Sequence, residues 1–89
     1  TLYFAACPLL CQGLVRPLVV ETGELVLMCD ECGAVWSSTQ DLAGGIYSTP
    51  APPSWSARGF HVAPGTTRWA TKAEVDSAAE WSSCDWRTA

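Results

Sequence analysis

The chain has 89 residues, 48% of them hydrophobic and 16% charged, with a formal net charge of −4. That apolar share excludes a wholly disordered chain, and the length excludes a large enzyme carrying its own cofactor domain. One domain is expected, and domains of this size tend to need a disulfide, a metal or a partner to stay folded.

In chain order, Leu2–Ala6 reads as a short lead-in to Cys7. Ala5-Ala6-Cys7 has the look of a lipoprotein cleavage site. No Lys or Arg precedes it, however, and the apolar run falls short of the about 7–15 residues a signal peptide uses. A cytoplasmic protein is therefore expected. No stretch approaches the roughly 18 apolar residues of a membrane span either.

Leu14–Val20 and Glu24–Met28 read as strands, joined by the turn Glu21-Thr22-Gly23-Glu24 with glycine where a positive φ is wanted. Pro17 cannot donate to a ladder, so the first of these is expected at a sheet edge. Gly33–Ser37 should form the outgoing strand, and Trp36 on it belongs in the core. Ser38-Thr39-Gln40-Asp41 has capping-box spacing, with Gly44-Gly45 as the stop of one short helical turn. Residues 49–54 (Thr-Pro-Ala-Pro-Pro-Ser) should run extended, as a connector or as a ligand for an aromatic groove.

Thr71-Lys72-Ala73-Glu74 is a second capping box and predicts a helix over 71–83. Val75, Ala78, Ala79 and Ser82 would form its inner stripe, with Trp81 on the edge. The expected divisions are a metal-binding part at 3–37, a loop-rich segment at 38–70 and the helix.

Cysteines stand at 7, 11, 29, 32 and 84. An odd count with two close pairs is a poor disulfide framework but a good metal framework, since seventeen residues separate Cys11 from Cys29. Two sulfurs from one tight turn fill two corners of a tetrahedron, and a second turn alongside supplies the others at about 2.3 Å from the ion. Cys29-Asp30-Glu31-Cys32-Gly33 suits this well, with Gly33 free to adopt the positive φ that aims N–H groups at sulfur. Cys7-Pro8-Leu9-Leu10-Cys11 has three intervening residues rather than two. That leaves His61 and Cys84 open as substitutes for Cys11, and four reduced cysteines buried as small hydrophobes is the alternative to any metal at all.

Cys29-x-x-Cys32-Gly33, followed by a short strand with an aromatic, resembles the zinc-ribbon (rubredoxin-like) knuckle. The resemblance covers residues 3–37. It implies a small α+β fold: an antiparallel zinc-ribbon β-sheet, with the C-terminal helix expected to pack on it. It also implies one structural zinc ion held by Cys7, Cys11, Cys29 and Cys32. Four thiolates close the coordination shell, and no His-Glu pair lies near them to act as a base, so no enzyme activity is expected.

His61, the only histidine, is expected to be structural, and Cys84 to be a spare thiol made less reactive by Asp85 beside it. Trp36, Trp55, Trp69, Trp81 and Trp86 serve either as core or as anchors for a partner. No Lys or Arg lies between Arg16 and Arg58, a stretch that holds five acids, whereas 58–72 is basic. The sequence therefore suggests a protein-interaction module with an acidic, Trp-rich surface, of adaptor or immunity/antitoxin type. Nucleic-acid binding through 58–72 is the alternative, and rubredoxin-like electron transfer through iron a further one.

Overall fold

A computed structural model describes residues 1–89. In chain order its elements begin with β1 (Leu2–Tyr3), β2 (Ala5–Ala6), β3 (Leu14–Val19), β4 (Leu25–Cys29) and β5 (Val35–Trp36). After these come α1 (Thr39–Gly44), β6 (Ser56–Ala57), β7 (Phe60–His61), β8 (Arg68–Trp69), α2 (Lys72–Ser77) and β9 (Arg87–Thr88). The result is a small α+β structure, mostly antiparallel sheet with two short helices.

The β3–β4 hairpin is the centre of the main sheet. Leu18 pairs with Val26 and Val15 with Cys29, while Gly23 turns the chain at φ 90. Beyond β4 lies β5; on the other side β3 pairs with β2 at its start and β8 at its end. Pro17 is therefore not on an edge strand but in the middle of a five-stranded sheet. Its carbonyl accepts from the Ala70 N–H, so its own nitrogen points the same way, into the seam between β2 and β8. A residue without an N–H is tolerated there because no continuous ladder crosses that seam.

Side chains alternate across this sheet, and both faces are covered. On one face Val15, Val19, Leu27, Cys29 and Trp36 share a core cluster with Val75 and Trp81. On the other, Leu18, Val20, Val26 and Val35 pack with Ala57 and Val62. The second face explains why the β3 and β4 segments are nearly continuous in hydrophobicity rather than alternating with polar residues. Only 18 of 89 residues are buried. At about 1.5–3 kcal/mol for each large aliphatic side chain, so thin a core leaves room for a further staple.

Both capping signals hold. Ser38 accepts from the Asp41 N–H, and Gly45 ends α1 at φ 74. Thr71 and Glu74 form a reciprocal capping box at the start of α2. That helix, expected over 71–83, ends at Ser77, and Ala78 is already extended. Asp76 and Glu80 crowd the region and no basic residue occupies the last turn, so the helix dipole is opposed rather than complemented. The chain instead turns irregularly, which buries Trp81 to 4% exposure and leaves Ala79 and Ser82 outside.

Residues 49–54 differ as well. They do not run extended throughout: the Trp55 N–H bonds to the Ala51 carbonyl, closing a turn through Pro52 and Pro53. The segment 38–70 also holds more strand than expected, with β6 and β7 forming a hairpin and β8 joining the main sheet. The chain ends meet, since Leu2 pairs with Thr88, and Phe4 packs edge-on against Trp86 at 5.6 Å.

Candidate metal centre

Two loops at one end of the β3–β4 hairpin carry the four cysteines. Cys7 follows β2, and Cys29 ends β4 opposite Val15, which draws the second loop beside the first. Asp30 fastens them. Its N–H donates to the Leu14 carbonyl at 3.1 Å, and its Oδ1 accepts from the Leu14 N–H at 2.9 Å. The Arg16 guanidinium lies 4.0 Å from the same carboxylate.

The Sγ atoms of Cys7, Cys11, Cys29 and Cys32 all lie within 4.8 Å of one another. Cys7 and Cys32 are 3.8 Å apart, and Cys11 and Cys29 3.3 Å. A tetrahedral ion bonded to four sulfurs at about 2.3 Å requires sulfurs roughly 3.8 Å from each other. The four can hold a metal ion with small adjustments. They are free cysteines rather than two cystines. Neither His61 nor Cys84 enters the cluster, so the wider first loop keeps Cys11 as the fourth sulfur.

The extra residue of that loop is absorbed in a specific way. Leu10 takes a left-handed φ of 63, and its side chain is fully exposed at the loop tip. Gly13 then does two jobs. Its carbonyl accepts from the Cys7 N–H at 3.0 Å, and its own N–H donates to Cys11 Sγ at 3.4 Å. A Cβ at Gly13 would stand 2.6 Å from Cys29 Sγ, so the backbone approaches the cluster as only glycine allows. In the second loop Gly33 has φ 77, and the N–H groups of Glu31 and Cys32 both donate to Cys29 Sγ at 3.5 Å.

These donors and the degree of burial set the charge state of each sulfur. Burial pushes the Cys7 thiol up to about 12 and also raises Cys29. The Gly13 N–H, together with the neighbouring thiols, lowers Cys11. The two inner sulfurs are thus costly to ionise alone, and a cation that discharges them would displace their protons. Cys32 is exposed and closes the cluster from the solvent side. Acids gather at this end: Asp30 and Glu31 lie between the second pair of cysteines, and both are exposed.

The remaining candidates stand apart. His61 is exposed on β7 and is not a satisfied core histidine. Cys84 is half-buried against the cluster that holds Trp81, and its thiol is raised by burial and then by the Asp85 charge. The basic stretch 58–72 is largely neutralised: Arg58 pairs with Asp41, Arg68 with Glu74 and Lys72 with Asp76. Sequence reasoning missed Gly13 and Asp30. The cysteine spacing marks neither the glycine two places after Cys11 nor Asp30 as a link between the loops. No helix is long and apolar enough to cross a membrane. No known protein family, curated protein or solved structure matches the chain.

Proposed function

We propose that this chain is a zinc-stapled, non-enzymatic protein-binding module acting in the cytoplasm. The observation that carries the metal reading is the closure of four sulfurs within 4.8 Å of one another, contributed by two loops. Four thiolates around a divalent ion leave no open position for water or substrate, which is the arrangement of structural zinc rather than catalytic zinc. The ribbon-like fold, with its sheet pinned at one end, then serves as a scaffold.

Charge supports a protein partner over a nucleic acid. Four of the five basic residues are engaged by acids, through Arg16–Asp30, Arg58–Asp41, Arg68–Glu74 and Lys72–Asp76. A phosphate backbone needs free cations to replace its counterions. A tetrathiolate zinc site would itself carry net charge −2, adding to Asp30 and Glu31 at the same end. That acidic end suits a basic protein surface, including a nucleic-acid-directed enzyme held in check by complementary charge.

Metal analysis of the purified protein tests the first half, with one zinc per chain expected; a red, iron-loaded protein would overturn it. Gel-shift titration with labelled DNA and RNA, beside capture of co-encoded proteins on the immobilised chain, tests the second. Retention of a basic protein that salt releases is expected. A salt-dependent nucleic-acid shift without any protein complex would reverse the assignment.

A further inference from the structure

The four sulfurs of the metal centre are paired as well as clustered. The two aligned sulfur contacts, Cys7 with Cys32 at 3.8 Å and Cys11 with Cys29 at 3.3 Å, each run from one loop to the other. A hydrogen bond between thiols directs one sulfur at the other, and a disulfide closes along the same line at about 2.05 Å. An approach of roughly 1–2 Å separates each contact from a bond.

Exposure divides the two pairs in the same way. Cys32 is exposed while Cys7 is only 8% exposed, and Cys11 is half-buried while Cys29 is 1% exposed. Each pair thus joins a sulfur that solvent reaches to one that solvent barely touches. Cys32 is the most open of the four. With Gly33 it also lines a cavity of about 510 Å³ on the second face of the sheet, beside Trp55 and Trp69. A reachable sulfur with a resolving partner next to it is the arrangement of an oxidation-sensitive pair.

We propose that the cluster is a peroxide-sensitive site whose oxidised form carries the disulfides Cys7–Cys32 and Cys11–Cys29. This rests on the metal reading above and assigns that site a regulation. The Cys32 thiolate attacks one oxygen of hydrogen peroxide and becomes a sulfenic acid as the O–O bond breaks. The departing hydroxide takes a proton from solvent and leaves as water. The Cys7 thiolate then attacks the Cys32 sulfur, and the S–O bond breaks to release a second hydroxide, likewise protonated to water. Cys11 and Cys29 repeat the sequence with a second peroxide. Four electrons pass from four thiolates to two peroxides, four waters form, and sulfurs that are no longer anionic let the ion go.

Four cysteines allow three pairings. Bonds within the loops, Cys7–Cys11 and Cys29–Cys32, would leave the loops unattached to each other. Cys7–Cys29 with Cys11–Cys32 would join the two buried sulfurs, neither of which an oxidant reaches readily. The proposed pairing spans 25 and 18 positions, and cross-links over long spans constrain the unfolded chain most. One staple therefore replaces another. The sheet should survive loss of the ion by oxidation but not by chelation.

The test adds a molar excess of hydrogen peroxide to the full zinc-loaded chain in the presence of a chromophoric zinc chelator. Release of one zinc is expected as free thiols fall from five to one, Cys84 being the thiol that remains. Proteolysis at Leu10 and Asp30, both exposed, then reads the connectivity by mass spectrometry. The expected pairing bridges Cys11 to Cys29 inside one peptide and joins the Cys7 peptide to the Cys32 peptide. Either other pairing ties all three peptides together and would overturn the proposal. The oxidised, metal-free chain should keep its near-ultraviolet circular dichroism until a reductant is added. Loss of that spectrum on oxidation, disulfide-linked dimers, or loss of the Cys84 thiol would also overturn it. Zinc content is measured before peroxide is added. A chain that holds zinc and resists oxidation overturns this proposal alone, whereas a chain without zinc overturns the metal reading and this one with it.

Discussion

The cysteine cluster and the second face of the β3–β4 sheet are held by opposite means. At the cysteine end, four sulfurs, three N–H···S bonds and the Asp30–Leu14 clamp converge on a few atoms. On the second face, Ala57 and Val62 pack against Val26 and Val35, and the cavity beside Trp55 and Trp69 reaches the metal loop at Cys32 and Gly33. A coordination centre concentrates stability in one point that is all or nothing, whereas packing spreads it over many weak contacts. The strand β4 joins the two regimes. Cys29 and Leu27 face one way, and Val26 and Met28 the other.

Metal removal should break the comparison most severely. Zinc coordination by four thiolates is worth about 10–16 kcal/mol in small modules, more than a core of this size can forgo. Chelation at neutral pH is expected to unfold the cavity face together with the knuckles, because β4 cannot lose its end and keep its register. Near-ultraviolet circular dichroism and tryptophan emission during chelator titration would check this. Retention of native signals from Trp55 and Trp69 after metal loss would show that the two regions are independent. Cys29→Ser should reproduce the chelated state.

A smaller and sharper perturbation is Gly13→Ala. The added methyl would meet Cys29 Sγ at 2.6 Å and Glu31 Cβ at 3.0 Å. Overpacking of this kind costs about 1–3 kcal/mol, and the shift should also weaken the metal about 10–100-fold, as loss of supporting contacts around a site does. Competition against a chromophoric zinc chelator reads the affinity directly. Because Cys32 and Gly33 also line the cavity beside Trp55 and Trp69, a small change in the Trp55 and Trp69 signals at saturating metal would report how far the loop shift reaches.

What was legible in the sequence follows the same division. The cysteine spacing, Gly33 and the two capping boxes are local signals, and each depends on atoms within a few residues. Pro17 misled because the strands on either side of its seam, β2 opposite Leu14 and Val15 and β8 opposite Leu18 and Val19, come from opposite parts of the chain, and the gap between them cannot be read locally. The end of α2 at Ser77 was hidden because alanines at 78 and 79 favour helix, whereas burial of Trp81 decides the path. The cavity had no linear signature at all: Trp55 and Trp69 are brought together only when β8 joins the sheet. Gly13 was visible as a residue, but its closeness to Cys29 depends on the pairing of Val15 with Cys29.

Acid titration probes the α2 start, which belongs to neither regime. The Arg68 guanidinium and the Thr71 N–H hold the Glu74 carboxyl down at about 2. Its folded pKa is depressed, so its contribution is present above the unfolded value of about 4.3 and is lost as pH falls through that value towards the folded one. Glu74→Gln keeps an acceptor for the capping box but removes the charge. The thermal midpoints of the wild type and Glu74→Gln should differ at pH 7 and begin to converge as pH falls towards about 4.3. The comparison is made where both proteins still hold their metal, since its loss unfolds the chain. A gap that does not narrow at all over that range would mean that the contact acts through packing rather than charge.

Leu10→Gly should have the smallest effect and the opposite sign. A left-handed backbone costs an L-residue roughly 1–2 kcal/mol, and Leu10 occupies it at φ 63 with a fully exposed side chain that has no packing to lose. Glycine removes that strain but adds about 0.5–1 kcal/mol of unfolded-state entropy, so a net gain below about 1 kcal/mol is expected. Urea denaturation of the zinc-loaded proteins at equal slope would measure it. A lower midpoint in the variant would show that the first loop relies on Leu10 for rigidity, and that the extra residue between Cys7 and Cys11 is held by stiffness of the chain rather than by the metal.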